Sequence, residues 1–316
     1  MKKVVFLIFF SLITCISHGQ ESETVYNFLR LPASAHVAAL GGDIITLPDD
    51  DANMIFHNPA LISNVSDKSI TLNYMTYMEG CKTASAAFVK AAGSKGTWGV
   101  MAQYMDYGDM KQTTADNIQI GTFSAKDIMI GGTFSYLLSE KISGGVSAKF
   151  ISSSIAGYNS LGVGVDLGLN YYDESHDLSL SLVAKNLGGQ IKAYEDDFEK
   201  IPFDLQFGVS KQILQSPFRL SAAFTRLHDW NGSFINHLQL GVDLHIGNTI
   251  YLAGGYNFRR NDEMSITDTV EDSDSSHGAG LSFGAGLQLE RFKLNVAYAK
   301  YHVSSSSLMI NLGYTL

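Results

Sequence analysis

The stretch Leu238-Gln-Leu-Gly-Val-Asp-Leu-His-Ile246 places a large apolar side chain at every second position. Between them stand Gln239, Gly241, Asp243 and His245, which are polar or have no side chain. An alternation with a period of two is typical of a β-strand with one apolar face. Since successive side chains of a strand point in opposite directions, this strand separates an apolar environment from a polar one. The stretch therefore predicts a sheet whose two faces meet different surroundings.

The same alternation recurs from residue 68 to the C-terminus, and it is clearest in 161–170 and 281–289. It predicts fourteen strands, at 68–78, 82–91, 96–106, 127–138, 141–152, 161–172, 177–187, 202–213, 218–229, 236–247, 249–259, 278–289, 291–302 and 306–316. Their length exceeds the roughly five or six residues usual in soluble sheets and suits a tilted bilayer crossing. An even number of such strands predicts an all-β fold, a transmembrane antiparallel β-barrel.

The connections between these strands alternate in length. Short turns are expected at 92–95, 139–140, 173–176, 214–217, 248 and 290, and longer connections at 107–126, 153–160, 188–201, 230–235, 260–277 and 303–305. Short periplasmic turns and longer outer loops are typical of outer-membrane barrels. The first connection, 79–81, is short where this pattern requires a long one.

The N-terminus predicts export. Residues 1–19 carry Lys2 and Lys3, an apolar run and a small-residue exit, which is typical of a signal peptide cleaved before Gln20. A lipoprotein reading of Cys15 is disfavoured by the bulky Thr14 before it. Removal of two of the 22 basic residues and none of the 31 acidic ones leaves a net charge of −11, which disfavours a nucleic-acid partner.

Residues 20–66 lack the strand alternation and contain many large apolar side chains, so they need a hydrophobic shelter. We expect them to form a hatch in the barrel lumen, which gives three parts: signal peptide (1–19), hatch (20–66) and barrel (67–316). Glycines on the lumen-facing parity leave room for it. The lumen-facing polar residues have mixed charge, which predicts a filled interior; they are Asp166, Lys185, Arg219, Gln239, Asp243, His245, Gln288, Lys293 and Asn295.

Motifs of enzymatic chemistry are missing from the sequence. It has no Gly-x-Ser-x-Gly elbow, no phosphate loop and no His-Glu-x-x-His, and its nine histidines are scattered. Acidic runs at 49–51, 195–199 and 271–274 could bind Ca²⁺, but none has the spacing of an EF-hand and solvated charge is the simpler interpretation. The prediction is a non-enzymatic protein with no cofactor and no metal.

Aromatic pairs near the strand ends predict girdles at the two membrane surfaces. The pairs are Tyr74 with Tyr77, Tyr104 with Tyr107, Tyr171 with Tyr172, Tyr256 with Phe258, and Tyr298 with Tyr301. A soluble β-sandwich with aromatic residues in its core is the alternative, but such folds rarely need so many long strands.

The segment Phe28-Leu-Arg-Leu-Pro-Ala-Ser-Ala-His-Val-Ala-Ala-Leu-Gly-Gly-Asp43 carries a family resemblance, together with a hatch motif of Asp49, Asp50, Asp51, Asn53, Asn58, Pro59 and Ala60. It resembles the PorV/PorQ family of type IX secretion outer-membrane proteins of Bacteroidetes, most closely the PorQ branch. The resemblance covers the mature chain, although its specific motifs lie near the N-terminus. It implies a FadL-like barrel of fourteen strands with an N-terminal hatch.

The resemblance also implies a function. Such proteins lie in outer-membrane lipid within an attachment complex, where they anchor a PorZ-like surface protein beside PorU and PorV. On this hypothesis the outer loops 188–201 and 260–277 hold the partner. The candidate contact residues are Tyr194, Asp196, Asp197, Phe198, Trp230, Phe234, Arg260 and Asp272.

The alternative function is a FadL-like transporter of hydrophobic small molecules, with the same fold and a lumen that conducts. A transporter would favour an apolar pocket beneath the outer loops, to which Tyr194, Phe198, Trp230 and Phe234 could contribute. A barrel enzyme such as an outer-membrane phospholipase is disfavoured, because no activated nucleophile is recognisable.

Overall fold

The computed structural model describes residues 24–116, 118–230, 233–247, 249–264, 266–268, 273–275, 278–301 and 305–316. The predicted signal peptide, residues 1–19, lies outside this range. Among the described residues no helix is long and apolar enough to cross a membrane.

Fourteen strands of the described chain form one closed antiparallel barrel, as predicted. They are β1 (Ser69–Thr76), β2 (Lys82–Ala92), β3 (Gly96–Thr113), β4 (Gln119–Leu137), β5 (Ile142–Ile155), β6 (Tyr158–Asp173), β7 (Leu178–Lys192), β8 (Asp204–Gln212), β9 (Phe218–Phe224), β10 (Leu238–Ile246), β11 (Ile250–Asn257), β14 (Leu281–Gln288), β15 (Phe292–Ala299) and β16 (Ser307–Thr315). Each pairs with its sequence neighbours, and β1 pairs with β16 to close the ring. The connection between β11 and β14 contains a short helix (Phe258–Glu263) and the small hairpin of β12 (Ile266–Asp268) and β13 (Ser273–Ser275).

The predicted loop 107–126 is wrong. It forms the continuation of β3 and β4, which pair with each other from Asp109–Ser124 to Thr113–Gln119. The neighbouring strand β2 pairs with β3 only as far as Asp106, and β5 pairs with β4 only from Ala125. Residues 107–124 therefore project beyond the barrel as a two-stranded ribbon. The alternation ends at the barrel rim because beyond it neither face of the ribbon is buried.

Two further outer connections are shorter than expected. The predicted loop 153–160 is a tight turn, in which only Ala156 and Gly157 separate β5 from β6. Both have a positive φ, of 51° and 93°, as in the two-residue turns that suit the twist of a hairpin. Strand β7 extends to Lys192, so the next loop begins five residues later than predicted.

The outer surface of the barrel is apolar on every side. Residues such as Leu72, Val100, Ile130 and Leu252 are exposed, and their strand neighbours on the opposite face are buried. A continuous apolar surface of this extent is unfavourable in water but matches the hydrocarbon of a bilayer. The barrel is thus of the outer-membrane type.

The aromatic pairs divide between the two faces of the barrel, which corrects the girdle prediction. Tyr74 and Tyr298 are exposed on the outer surface. Tyr77 and Tyr301 contact each other on the inside, with ring centroids 5.5 Å apart, and the Tyr107 hydroxyl donates to a buried carboxylate. Residues three apart on one strand point to opposite faces, so each such pair can supply only one girdle residue.

Candidate functional site: a plugged lumen

The lumen is occupied by residues 24–66, termed the plug. The plug contains the helix α1 (Ala35–Ala39) and 3₁₀ helices at Asn27–Arg30, Ala52–Phe56 and Pro59–Asn64. Three of these begin at a side-chain cap: Ser34 accepts from the Val37 amide, Asp51 from Asn53 and Asn58 from Ala60. Such caps satisfy backbone donors at the start of very short helices. The predicted hatch motif therefore first serves the local structure of the plug.

Glycines of the barrel wall allow the plug to approach it closely. A Cβ atom on Gly145 would overlap the main chain of Pro59, and one on Gly168 would overlap the Asn58 side chain. A Cβ atom on Gly255 would likewise overlap the plug main chain. The Asn-Pro-Ala turn thus lies where the wall has no side chains, as expected from the glycines on the lumen-facing parity.

Two charged residues of the wall hold two residues of the plug. Arg219 of β9 contacts Asp49 through both terminal nitrogens, at 2.6 and 2.8 Å, and its Nε lies 2.9 Å from Asp243 Oδ2. Nε2 of His36 lies 2.7 Å from Asp243 Oδ1, and its Nδ1 lies 3.5 Å from Asp49 Oδ2. The His36 ring also stacks on Tyr251 at 4.0 Å. We call Arg219, Asp243, His36 and Asp49 the ionic latch.

The other two aspartates of the run 49–51 have different partners. Asp50 lies 2.6 Å from the ammonium of Lys293, on the wall. Asp51 accepts from the Ser34 hydroxyl at 3.0 Å and from the Asn53 amide at 2.7 Å, both within the plug. No group of three or more metal-ligating side chains occurs in the described part of the chain. Asp49 and Asp50 therefore bind the plug to the wall, whereas Asp51 joins two parts of the plug.

Burial and neighbouring charge act in opposite directions on these carboxyl groups. Burial raises the pKa of Asp49, but the Arg219 guanidinium outweighs it and brings that pKa well below its usual range. Burial raises the pKa of Asp51, which has amide and hydroxyl donors but no cation in contact. Asp49 is therefore ionised at neutral pH.

His57 of the plug acts as a buried acceptor. Its Nε2 accepts hydrogen bonds from the amides of Ala33, at 3.4 Å, and Ser34, at 3.3 Å. Burial, with smaller contributions from the positive charges of Lys185 and Lys149, lowers its pKa well below the usual 6.5. The neutral ring therefore joins two parts of the plug, and its protonation would remove the acceptor.

A group of asparagines continues the polar contact between plug and wall. The Asn53 amide donates to Asn311 at 2.7 Å and accepts from Asn73 at 2.7 Å. Asn295 donates to the same oxygen of Asn311 at 2.9 Å and accepts from the Tyr251 hydroxyl at 3.0 Å. These buried amides satisfy one another across β1, β11, β15 and β16.

The remaining plug surface is apolar and packs on methionines. Met75, Met101, Met105, Met129 and Met309 face the lumen from β1, β3, β4 and β16, and all are buried. They pack with the plug side chains Phe28, Leu29, Leu40, Met54, Ile55, Phe56, Leu61 and Ile62. We call these five residues the methionine wall. Methionine is unbranched and flexible, so it adapts to partners of different shape.

A cavity lies on each side of the plug. The inner cavity, of about 480 Å³, is at the end with the short turns and is lined by Asp49, Asp177, His245, Thr249 and Gln288 among others. The outer cavity, of about 170 Å³, is at the end with the long loops and is lined by Arg30, Asp43, Lys185, Arg260 and Tyr301 among others. Plug residues therefore form one wall of each cavity.

The residues predicted to bind a partner do not form one site. Asp196, Asp197 and Phe198 are exposed on their loop, whereas the Tyr194 hydroxyl hydrogen-bonds to Ser153 in the lumen. Asp272 lies outside the described residues. These positions leave the prediction about a partner untested.

The aromatic residues Trp230 and Phe234 stack together, 6.1 Å apart. Phe234 also contacts Phe224, which is on the lipid-facing parity of β9. The four aromatics considered for a pocket under the loops, among them Tyr194, are thus divided between lumen and rim. Arg260 is buried, with its guanidinium 3.9 Å above the Tyr301 ring.

Strand parity predicted the lumen-facing positions of Arg219 and Asp243, the wall residues of the latch, whereas His36 was one of several scattered histidines. His36 and Asp243 are 207 residues apart, so no local pattern links them. The lumen-facing position of Asp243 was the available signal, because a buried carboxylate requires a partner.

Comparisons with known proteins identify the fold. No family model matches the chain, and no curated protein matches it. The toluene transporter TodX of Pseudomonas putida superposes with a TM-score of 0.59 at 13% identity, over 91% of this chain and 99% of that one. A TodX deltaS2S3 mutant, a monoaromatic hydrocarbon channel, gives 0.57 at 14% identity over 88% and 97%. The monoaromatic hydrocarbon channel CymD gives 0.56 at 13% identity over 90% and 96%.

The first prediction concerns the seat of the Asn-Pro-Ala turn. We expect Gly145→Val to displace the plug, because the new side chain would overlap Pro59, while the barrel remains closed. Hydrogen exchange of the plug amides in detergent micelles measures the loss of protection. Gly132→Val is the matched control, since a Cβ at Gly132 meets no atom within 4 Å. Equal protection in the two variants would contradict the seat.

The second prediction concerns pH. The pKa of His57 is lowered in the folded plug, so its stabilising contribution is complete above pH 6.5 and is lost as the pH falls below that value. The free energy of plug opening should decrease by up to about 1.4 kcal/mol per pH unit below 6.5. Hydrogen exchange at pH 7.5 and 5.0, corrected for intrinsic rates, measures it. His57→Gln keeps a neutral acceptor and should show a weaker dependence; an identical slope would refute the role of His57.

Proposed function

We propose that this protein is a gated outer-membrane channel for small hydrophobic molecules, opened by displacement of the plug. The observation that carries the proposal is the methionine wall, which consists of two neighbouring apolar patches on one side of the lumen that the plug covers. The likeness of the barrel to the hydrocarbon channels TodX and CymD is consistent with this function. At 13% identity that likeness concerns the fold alone, and the support for the function comes from the residues that line the lumen.

The apolar contacts between plug and wall are of a kind that a hydrophobic solute can replace. Met75 and Met309 are directly opposite each other on β1 and β16, and Met101, Met105 and Met129 lie on β3 and β4. Thr83 of β2 separates Met75 from Met105, so the methionines form two neighbouring apolar patches, and Tyr77 packs against both. A solute that displaced Phe28 or its neighbours would cover the same apolar surface.

We expect the polar contacts between plug and wall to control when the channel opens. Asp49 and Asp50 of the plug form ion pairs with cations of the wall, and water can replace such contacts once the plug moves. The ionic latch is adjacent to the inner cavity, because Asp49 and Arg219 line it. Water is thus available next to the strongest polar contact between plug and wall.

Removal of the latch arginine tests the channel. In Arg219→Gln, Asp49 and Asp243 lose the cation between them, so we expect the plug to loosen and uptake of an apolar fluorescent probe to increase several-fold in cells that produce the variant. The matched control is Lys141→Gln, which removes one positive charge from a half-exposed ion pair with Asp173. Adding Met101→Gln and Met129→Gln should then reduce uptake, since both side chains belong to the methionine wall.

The channel proposal fails if Arg219→Gln releases the plug, as measured by hydrogen exchange, but uptake stays at the level of cells without the protein. It also fails if the methionine substitutions leave uptake in the released variant unchanged.

The projecting ribbon favours a second candidate function, the anchoring of a cell-surface partner. Residues 107–124 extend from the outer end of the barrel, and Ile118 and Ile120 near the tip are each 61% exposed. Exposed apolar side chains outside the bilayer are typical of protein contact sites. The resemblance to the PorV/PorQ family implies a PorZ-like partner, and this remains a proposal.

Shortening the ribbon tests the anchor. We expect replacement of residues 110–123 by Asn-Gly to leave the barrel closed, because the strand pairs in this range, from Met110–Phe123 to Thr113–Gln119, join ribbon residues only to each other. Affinity purification from gently solubilised outer membranes should then lose a surface protein that the full-length chain retains. The Ile118→Asn variant is the finer test. If neither variant changes the set of co-purified proteins, the ribbon is not the anchor.

A further inference from the structure

The outer cavity contains more positive than negative side chains. It lies between the plug and the outer ends of the wall strands, so it faces the same side as the long loops. Its basic residues are Arg30, Lys185, Arg226, Arg259 and Arg260, and its acidic residues are Asp43, Asp204 and Glu263. The plug and the wall both contribute to this set.

Arg260 is held in place by two contacts, and one of its nitrogen donors has no acceptor among the described residues. It is 9% exposed, its Nη2 donates to the Gly41 carbonyl at 2.9 Å, and its guanidinium lies over the Tyr301 ring. Within the described residues the buried Nη1 has no hydrogen-bond acceptor. Buried donors without an acceptor are rare and unfavourable, so Nη1 indicates a place for an acceptor atom.

Lys185 supplies a second buried cation. It is 7% exposed on β7, and within the described residues its ammonium makes no ion pair or hydrogen bond. The carboxylate of Asp204, its partner across the strands, instead accepts from the Gln206 side chain at 2.7 Å and from the Arg226 amide at 2.5 Å. A lysine with so little exposure normally has a counter-ion.

The acidic residues of the cavity offset only part of its positive charge. Asp43 accepts from the Gln239 side chain at 2.5 Å, and Glu263 lies between Arg226, at 3.7 Å, and Arg259, at 3.6 Å. The donors to Asp43 and Asp204 are neutral and do not cancel their charge, so three acidic side chains face five basic ones and an excess of two positive charges is left in the cavity. A small anion from solution could balance this excess.

We infer that the outer cavity binds a small anionic group, a carboxylate or a phosphate, between Lys185 and Arg260. A volume of about 170 Å³ accommodates such a group but not a larger ligand, since pockets for drug-sized molecules begin near 300 Å³. Arginine offers paired donors to either oxyanion, and lysine adds a point charge. The inference needs neither conduction nor movement of the plug, so it stands apart from the proposed function.

Binding to the purified full-length barrel tests the inference. The probes are inorganic phosphate and acetate, titrated by calorimetry at constant ionic strength in an uncharged detergent. We expect saturable binding of at least one probe to the unmodified protein. In Lys185→Gln the affinity for that probe should fall by about tenfold or more, because one of two cations is lost. The probe that binds more tightly distinguishes a phosphate site from a carboxylate site.

The controls separate a site from general charge attraction. Lys141→Gln makes the same change at the opposite end of the barrel and should bind like the unmodified protein. Arg260→Lys keeps the charge but loses the paired donors, so it should weaken binding. If Arg260→Lys does not fold, Lys185→Gln alone tests the site, because it removes no hydrogen bond of the described structure. Absence of saturable binding, or equal affinity in Lys185→Gln and Lys141→Gln, would show that water alone fills the cavity.

Discussion

Every backbone N–H and C=O group that enters hydrocarbon must find its partner within the protein, and this constraint determines the whole architecture. A sheet satisfies it only when its first and last strands pair, as β1 and β16 do here over seven residue pairs from Ser69–Thr315 to Met75–Met309. Closure then assigns one side-chain parity to lipid and the other to the lumen. The apolar outer surface and the polar inner surface are both consequences of that ring of hydrogen bonds.

A ring of fourteen strands encloses more space than its own lumen-facing side chains fill. In this protein the N-terminal segment occupies that space, and the wall is adapted to it in three ways. Glycines remove side chains where the plug main chain lies close, methionines adapt to its apolar face, and charged or amide groups pair with its polar face. The same parity that excludes charge from the lipid therefore also selects the residues that hold the plug.

The sequence was most informative where a repeated local pattern expresses this constraint. Alternation identified all fourteen barrel strands and the lumen-facing positions of residues such as Arg219 and Asp243. It was uninformative beyond the membrane, where the ribbon 107–124 keeps its hydrogen bonds but neither face is buried. It also could not predict pairing across the lumen. His36 and Asp243 meet because the plug folds back into the barrel, and the orphan donor of Arg260 depends on how the loop after β11 packs on Tyr301.

The plug combines two kinds of contact that respond differently to displacement. Its apolar contacts with the methionine wall can be exchanged for contacts with a hydrophobic solute at little change in free energy, since the same area stays covered. Its polar contacts are exchanged for water, and for a charged group such as Asp49 full hydration offsets much of the lost ion pair. Covalent continuity with β1 keeps the displaced segment near the lumen. A plug held by both kinds of contact is stable in the resting barrel and can still be displaced. A plug held by apolar packing alone would expose a larger apolar surface to water each time it moved.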